Sequence, residues 1–247
     1  MTGIVNVFTR GPALLAQTAA ALADVSGGRF VLGLGASSNV IVERWNGVPF
    51  QRPLKRVEET VAYLRAVLAG ERGDGGFRLA APPARPVPIV LAALREPMLR
   101  LAARVADGVF TNFLPLASVD QVVAAFDAPD KELACRFFSF HGDDALQTAK
   151  RTFVAYATVP VYTEFFRWLG FGGELEPVVA AWNAGDRAGA VDLVPEALVR
   201  DIFLLGTVDA QRERLAQFGA AGVQTGVLAL SAPAAEVPRL VDAFAPS

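Results

Sequence analysis

The feature that most narrows the fold is a rhythm: short apolar, β-branched runs recur along the chain, and nearly all are followed by a segment with apolar residues at helical spacing. Gly3-Ile4-Val5-Asn6-Val7-Phe8 is the first run. Pro12 then stands where a first helical turn tolerates proline, and Leu14, Leu15, Thr18, Leu22 and Val25 carry a helix to Gly27-Gly28. Phe30 to Gly35 reads as a strand buried on both faces. After an irregular polar stretch, Leu54, Val57, Val61, Leu64 and Leu68 mark an amphipathic helix closed by Gly70. Glu71 to Pro86, rich in Gly and Pro, reads as a loop.

The pattern continues with a strand at Pro88 to Ala92, a helix on Met98, Leu99, Leu101, Ala102 and Val105, and a turn at Asp107-Gly108 into a strand at Val109 to Phe113. Ser118 is placed to cap a helix through Val122, Val123 and Phe126. Leu133 to Phe140 is a fifth strand, and from Asp143 to about Leu205 the periodicity is helical throughout. Gly206-Thr207 resets it to a helix through Leu215 and Phe218, a strand at Val223 to Leu230, and a last helix over about Ala234 to Ala243. Alternation of this kind forces parallel strands joined by right-handed crossovers. No linker or repeat divides the chain, so residues 1–247 are expected to form a single domain with a helical excursion at about 143–205. Six strands are two short of the eight that close a barrel, which leaves an open doubly wound sheet and an incomplete (β/α)8 barrel as the two architectures.

Composition removes several kinds of chemistry. Cys135 and His141 are the only residues of their types, so neither an internal disulfide nor a zinc site of the usual nitrogen and sulfur kind is expected. A serine relay would have to run through His141, and there is no G-x-S-x-G elbow. With 23 basic and 25 acidic residues the chain has no electrostatic footprint for nucleic acid. Neither a signal peptide nor an apolar stretch of membrane-spanning length is legible, so a cytoplasmic protein is expected, with no membrane partner.

Gly33-Leu34-Gly35-Ala36-Ser37-Ser38 ends the second strand. As a dinucleotide fingerprint it fails: its third glycine is a serine, no immediate helix reads from Val40 to Pro53, and a strand and helix already precede it. The glycines either merely let the chain turn or bring it close to a ligand, with Ser37 and Ser38 offering hydroxyls and amides to an anion. Ala92-Ala93-Leu94-Arg95-Glu96-Pro97 is a second strand-to-helix junction, where free amides suit a phosphate. Glu58-Glu59 read as a solvated charged face, Asp143-Asp144 as a helix cap, His141 as a structural or exposed residue, and Trp45, Trp168 and Trp182 as packing.

Taken in order, these segments resemble the luciferase-like monooxygenase family, in particular its deazaflavin-dependent branch that includes methylenetetrahydromethanopterin reductase. The resemblance is carried by Ser26 to Gly35, Trp45-Asn46-Gly47, Arg56 to Glu59, Ile89 to Leu94, Leu101-Ala102 with Ala106-Asp107-Gly108, and Leu205-Gly206-Thr207 with Ala220-Ala221-Gly222-Val223. It implies a (β/α)8 barrel of the luciferase-like type, with coenzyme F420 or, alternatively, FMN at the C-terminal ends of the strands. It further implies a non-prolyl cis peptide at Gly3-Ile4 beneath the tricyclic ring. Gly35, Ala36, Ser37 and Ser38 would line the coenzyme, and Ala92, Ala93 and Leu94 would lie beside its side chain and phosphate.

There are two departures from the family. Ser38 stands where some members place a carboxylic acid, and the family has two βα units before the strand that is first here, so Gly3 to Phe8 corresponds to the third strand and Val223 to Leu230 to the eighth. Those two strands would then be open edges, which proteins normally avoid. A truncated reading frame, a second chain completing the barrel and a degenerate homologue are the three resolutions. The activity implied is hydride transfer between F420 and a small organic substrate, with no catalytic residue identified. The alternatives are an FMN-dependent monooxygenase and a non-catalytic module that self-associates into a homo-oligomer through its edges.

Overall fold

The computed structural model describes residues 1–245. All six expected strands are present: β1 (Val5–Asn6), β2 (Leu32–Gly35), β3 (Ile89–Ala92), β4 (Gly108–Asn112), β5 (Glu132–Phe140) and β6 (Thr225–Ser231). They are hydrogen-bonded in chain order β1-β2-β3-β4-β5-β6, and the pairings of β1 with β2, β2 with β3, β3 with β4, and β5 with β6 are parallel. Among the described residues β1 and β6 each have one neighbouring strand. The chain clusters into two compact units, Met1–Phe110 with Ala125–Glu132, and Thr111–Ala124 with Leu133 onward.

In the first unit, α1 (Pro12–Val25) buries Leu15, Ala16, Ala19, Ala20 and Ala23, an almost all-alanine face that lets it lie close to its neighbour α2 (Pro53–Leu68). The helix ends at Gly27 and Gly28, both at positive φ (62° and 82°), with the Gly28 amide returning to the Ala23 carbonyl. Helix α2 buries Val57, Val61, Leu64 and Leu68 and packs on α3 (Glu96–Val105). The Ala106-Asp107-Gly108 turn owes its sequence to three contacts. Asp107 Oδ2 accepts from the Ile89 amide and from Arg65, both at 2.7 Å, which ties the start of β3 to α2. Lys131 Nζ donates to the Ala103 and Ala106 carbonyls at the end of α3. Gly108 leaves room for the Glu132 carbonyl, which would stand 2.6 Å from any Cβ there.

In the second unit, β5 and β6 pair from Ala134↔Thr225 to Phe140↔Ser231. The helical excursion is present as α5 (Ala145–Ala157), α6 (Pro160–Trp168), α7 (Gly172–Asn183), α8 (Arg187–Asp192) and α9 (Glu196–Ile202). Phe153, Phe165, Phe166 and Phe203 are fully buried there, so aromatic area, worth about 1.5–3 kcal/mol per buried large apolar side chain, carries the packing of these short helices. Helix α10 (Val208–Ala221) is capped by the Thr207 hydroxyl, which accepts from the Ala210 amide, and α11 (Val237–Phe244) closes the described chain.

Three local expectations are corrected. Val40–Trp45, expected to be irregular, is a π-helical turn, entered when Ser38 Oγ accepts from the Ile41 amide and the Ser38 carbonyl from that of Val42. Ser118 does not cap a helix: it lies in the 3-10 turn Leu116–Ser118, which runs straight into α4 (Val119–Phe126). Asp144 holds the N-cap position of α5 but makes no side-chain cap bond.

Candidate functional site

The C-terminal ends of β1, β2 and β3 meet in the first unit. Asn6, the last residue of β1, is in register with Gly35, the last of β2. Asn6 is 8% exposed; its Oδ1 accepts from the Phe8 amide at 2.7 Å, while its Nδ2 is buried with no acceptor among the described residues. The Gly3–Ile4 peptide just before β1 is cis. A Cβ on Gly35 would stand 3.0 Å from both the Ala92 methyl and Ile4 Cδ1, and one on Gly3 would stand 3.2 Å from the Phe110 ring. Ile4, Gly35 and Ala92 therefore make a closely packed apolar patch beside an amide donor that nothing among the described residues satisfies. An unmade buried hydrogen bond of this kind costs about 1–3 kcal/mol.

Ala36, Ser37 and Ser38 follow half-buried, and Ser37 is left-handed (φ 65°), which redirects the chain at the end of β2. The Ser38 hydroxyl keeps its proton for another partner, since in its bond to the Ile41 amide it is the acceptor. At the third strand end, Ala92 and Leu94 are half-buried and Ala93 is buried. The Ala93 amide is spent on the Phe110 carbonyl, so it is not free for a phosphate. Arg95 at the N-cap of α3 makes no side-chain cap bond. All nine coenzyme-lining residues expected from the sequence thus belong to the first unit, at or near these strand ends.

The other candidates resolve as structure or surface. Glu59 pairs with Lys55 and Glu58 with Arg104, all solvent-exposed. A cavity of about 240 Å³ beside them is lined by Phe8, Arg52, Lys55 and Arg56. Trp168 stacks on Phe165, but Trp45 is 73% exposed and packs no core, because the π-helical turn carries it on the surface. His141 Nε2 lies 2.7 Å from Ser139 Oγ, yet Ser139 is fully buried and its hydroxyl is bonded to Gln211 at 2.6 Å, so the pair has no reach to a substrate. Partial burial lowers the His141 pKa, with Glu236 opposing that shift and Arg239 adding to it. Burial pushes the Cys135 thiol up to about 12, which removes it as a nucleophile. Among the described residues no group of three His, Cys, Asp or Glu side chains is placed to hold a metal ion.

Sequence reasoning passed over Asn6, and in the second unit it passed over Asn112, Arg136 and Tyr162. The available signal was the same for Asn6 and Arg136: a polar residue inside an otherwise apolar strand.

Strands hydrogen-bonded in chain order with interleaved helices, and a small apolar patch at the ends of β1 to β3, define an α/β protein. The family model for luciferase-like monooxygenases matches residues 1–225, and the chain belongs to that family. It is 29% identical to the 5,10-methylenetetrahydromethanopterin reductase of Archaeoglobus fulgidus over 90% of this chain and 73% of that one. Its fold matches the coenzyme F420-dependent tetrahydromethanopterin reductase of Methanopyrus kandleri, with a TM-score of 0.74 at 22% identity over 97% of this chain and 80% of that one. An F420-dependent secondary alcohol dehydrogenase, solved with an F420-acetone adduct, also matches with a TM-score of 0.74 at 19% identity, over 98% and 76% of the two chains. The architecture is that of the luciferase-like (β/α) barrel enzymes, with the long helical insertion between the last two strands. No helix among the described residues is long and apolar enough to cross a membrane.

Proposed function

We propose that the chain is a deazaflavin-dependent oxidoreductase. In this reading it binds coenzyme F420 in the first unit, over Gly3, Ile4, Asn6, Gly35 to Ser38 and Ala92 to Leu94, and serves hydride transfer between that coenzyme and a small organic substrate. The observation that carries the reading is the unsatisfied Asn6 Nδ2 at the end of β1, in register with Gly35. A planar ring edged with carbonyl oxygens and ring nitrogens is the acceptor such a donor lacks. The residues present fit it: Gly35 and Ala92 beside the Ile4 side chain offer a low apolar floor, and Ser38 offers a hydroxyl. The hydride chemistry is the coenzyme's own when bound. The chain's share is to orient the ring through Asn6, keep water from its lower face with Ile4 and Ala92, and turn at Ser37 to make room. The coenzyme F420-dependent tetrahydromethanopterin reductase of Methanopyrus kandleri, whose fold this chain shares, supports F420 as the coenzyme in this reading.

The test is a titration of the purified chain with F420 and with FMN, repeated on Asn6→Asp. That substitution keeps the acceptor for the Phe8 amide and replaces the free donor with an acceptor. F420 binds, and Asn6→Asp weakens it by about tenfold or more, the worth of a lost hydrogen bond plus the repulsion put in its place. If neither coenzyme binds the folded chain the proposal fails. Binding of FMN instead, with oxygen uptake when it is reduced, replaces the proposal with a monooxygenase.

The reading extends to the whole chain as one luciferase-like domain, because the family model runs across both units. It places the enzyme in the cytoplasm with a small-molecule substrate and no nucleic-acid partner. Self-association through the strands with a single neighbour, β1 and β6, is part of it, and light scattering reports the resulting mass.

A further inference from the structure

A second polar cluster lies wholly within the second unit. Arg136 is the central residue of β5, half-buried among Leu133, Ala134, Cys135 and Phe137. Its Nε donates to Asn112 Oδ1 at 3.2 Å, and its guanidinium lies over the Phe138 ring, 4.6 Å from the centroid. Neither Nη atom has an acceptor, and no carboxylate stands within ion-pair distance of it, among the described residues. Asn112, the last residue of β4, uses its other amide atom as well: Nδ2 donates to the Tyr162 hydroxyl at 3.0 Å. Tyr162 accepts that bond, so its own proton remains to be given away. Burial raises its pKa, with the Asn112 bond and the Arg136 charge opposing, so the phenol is a donor at neutral pH. Rings close the surroundings, with Tyr156 at 5.3 Å and Phe113 at 5.4 Å from Tyr162, both edge-on.

A half-buried guanidinium ordinarily finds a counter-ion, because its partial desolvation is otherwise uncompensated. Here the amide clamp fixes the plane of the group and uses its Nε, while the two Nη atoms, the edge that meets two carboxylate oxygens in parallel, stay open. The cluster has one positive charge and otherwise only neutral donors. That balance matches a monoanion; a phosphate dianion would leave net negative charge between aromatic rings.

We propose that Arg136, held by Asn112 and flanked by Tyr162, is a binding site for a small organic carboxylate whose apolar part rests against Phe138 and the tyrosine rings. The site belongs to the second unit alone and does not depend on which coenzyme the first unit takes.

The probe is benzoate, titrated into the full chain at constant ionic strength, with inorganic phosphate as competitor. Wild type, Arg136→Gln and Tyr162→Phe are compared after circular dichroism and thermal unfolding have shown each to be folded. Benzoate binds the wild type, Arg136→Gln weakens it by about tenfold or more and Tyr162→Phe by several-fold, as expected for one charged and one neutral hydrogen-bond donor. Phosphate does not displace it. Equal affinity in wild type and Arg136→Gln, no binding to the folded wild type, or displacement by equimolar phosphate each overturns the proposal. If Arg136→Gln does not fold, Asn112→Asp decides the matter: it supplies the missing counter-ion from within, so loss of benzoate binding supports the site and undiminished binding overturns it.

Discussion

Gly33 has no room for a single added carbon. A Cβ there would lie 1.9 Å from the Thr2 carbonyl oxygen, and the Thr2 hydroxyl already brackets this residue, donating to the Gly33 carbonyl at 3.0 Å and accepting from its amide at 2.9 Å. The neighbour is backbone, which cannot swing away, so Gly33→Ala must part β1 from β2. We expect it to cost about 2–3 kcal/mol in thermal unfolding. Gly11→Ala, where nothing lies within 4 Å, should be near neutral. From the sequence, Gly33 and Gly35 either turn the chain or bring it close to a ligand; the crowding at both is with other parts of the chain. What stood out of reach was the neighbour: at Gly33 it is the Thr2 backbone, and at Gly35 the side chains of Ile4 and Ala92. Both depend on residues 30 or more positions away in sequence.

At the scale of elements, α3 is held at its end by a residue of another segment. Lys131 Nζ bonds the carbonyls of Ala103 at 2.6 Å and Ala106 at 2.9 Å, so a cation stands where the helix leaves unpaired oxygens and a negative partial charge. Lys131→Met keeps the apolar stem and deletes both bonds. The expected loss is about 2 kcal/mol by denaturant unfolding, against little change for Lys55→Met, whose amine makes only an exposed ion pair. Elements were the most legible scale. Every strand and the helices outside the excursion were announced by periodicity, because burial on both faces of a parallel sheet demands apolar runs that a helix does not need; the excursion was legible only as helical, not as the five helices α5 to α9. The failures were Val40–Trp45, Ser118 and Asp144, where no periodicity operates and the outcome rests on which backbone amides lack partners.

At the scale of the whole molecule, acid sensitivity follows from His141. Its folded pKa lies below the ordinary 6.5, chiefly through burial, so the unfolded chain takes up a proton more readily over the window just below that value. The associated stability is complete above about pH 6.5 and is lost as the pH falls through that window. His141→Gln removes this contribution. We therefore expect the melting temperature of the wild type to fall more steeply than that of His141→Gln between about pH 7 and pH 5; parallel curves would show that the histidine plays no part.

The sequence by itself determined the order and kind of the elements, the parallel sense of the strands and, through its ordered motifs, the family, because these follow from local periodicity and from short segments each read on its own. Tertiary structure alone decided which polar atoms were left without partners. Asn6 and Arg136 look in sequence like interruptions of two strands. Only the folded chain shows that, among the described residues, Asn6 Nδ2 faces no acceptor and Arg136 meets an amide and an aromatic ring but no carboxylate. A hydrogen bond that is missing is a property of everything around an atom, and the surroundings of an atom in a parallel sheet come from segments dozens of residues apart.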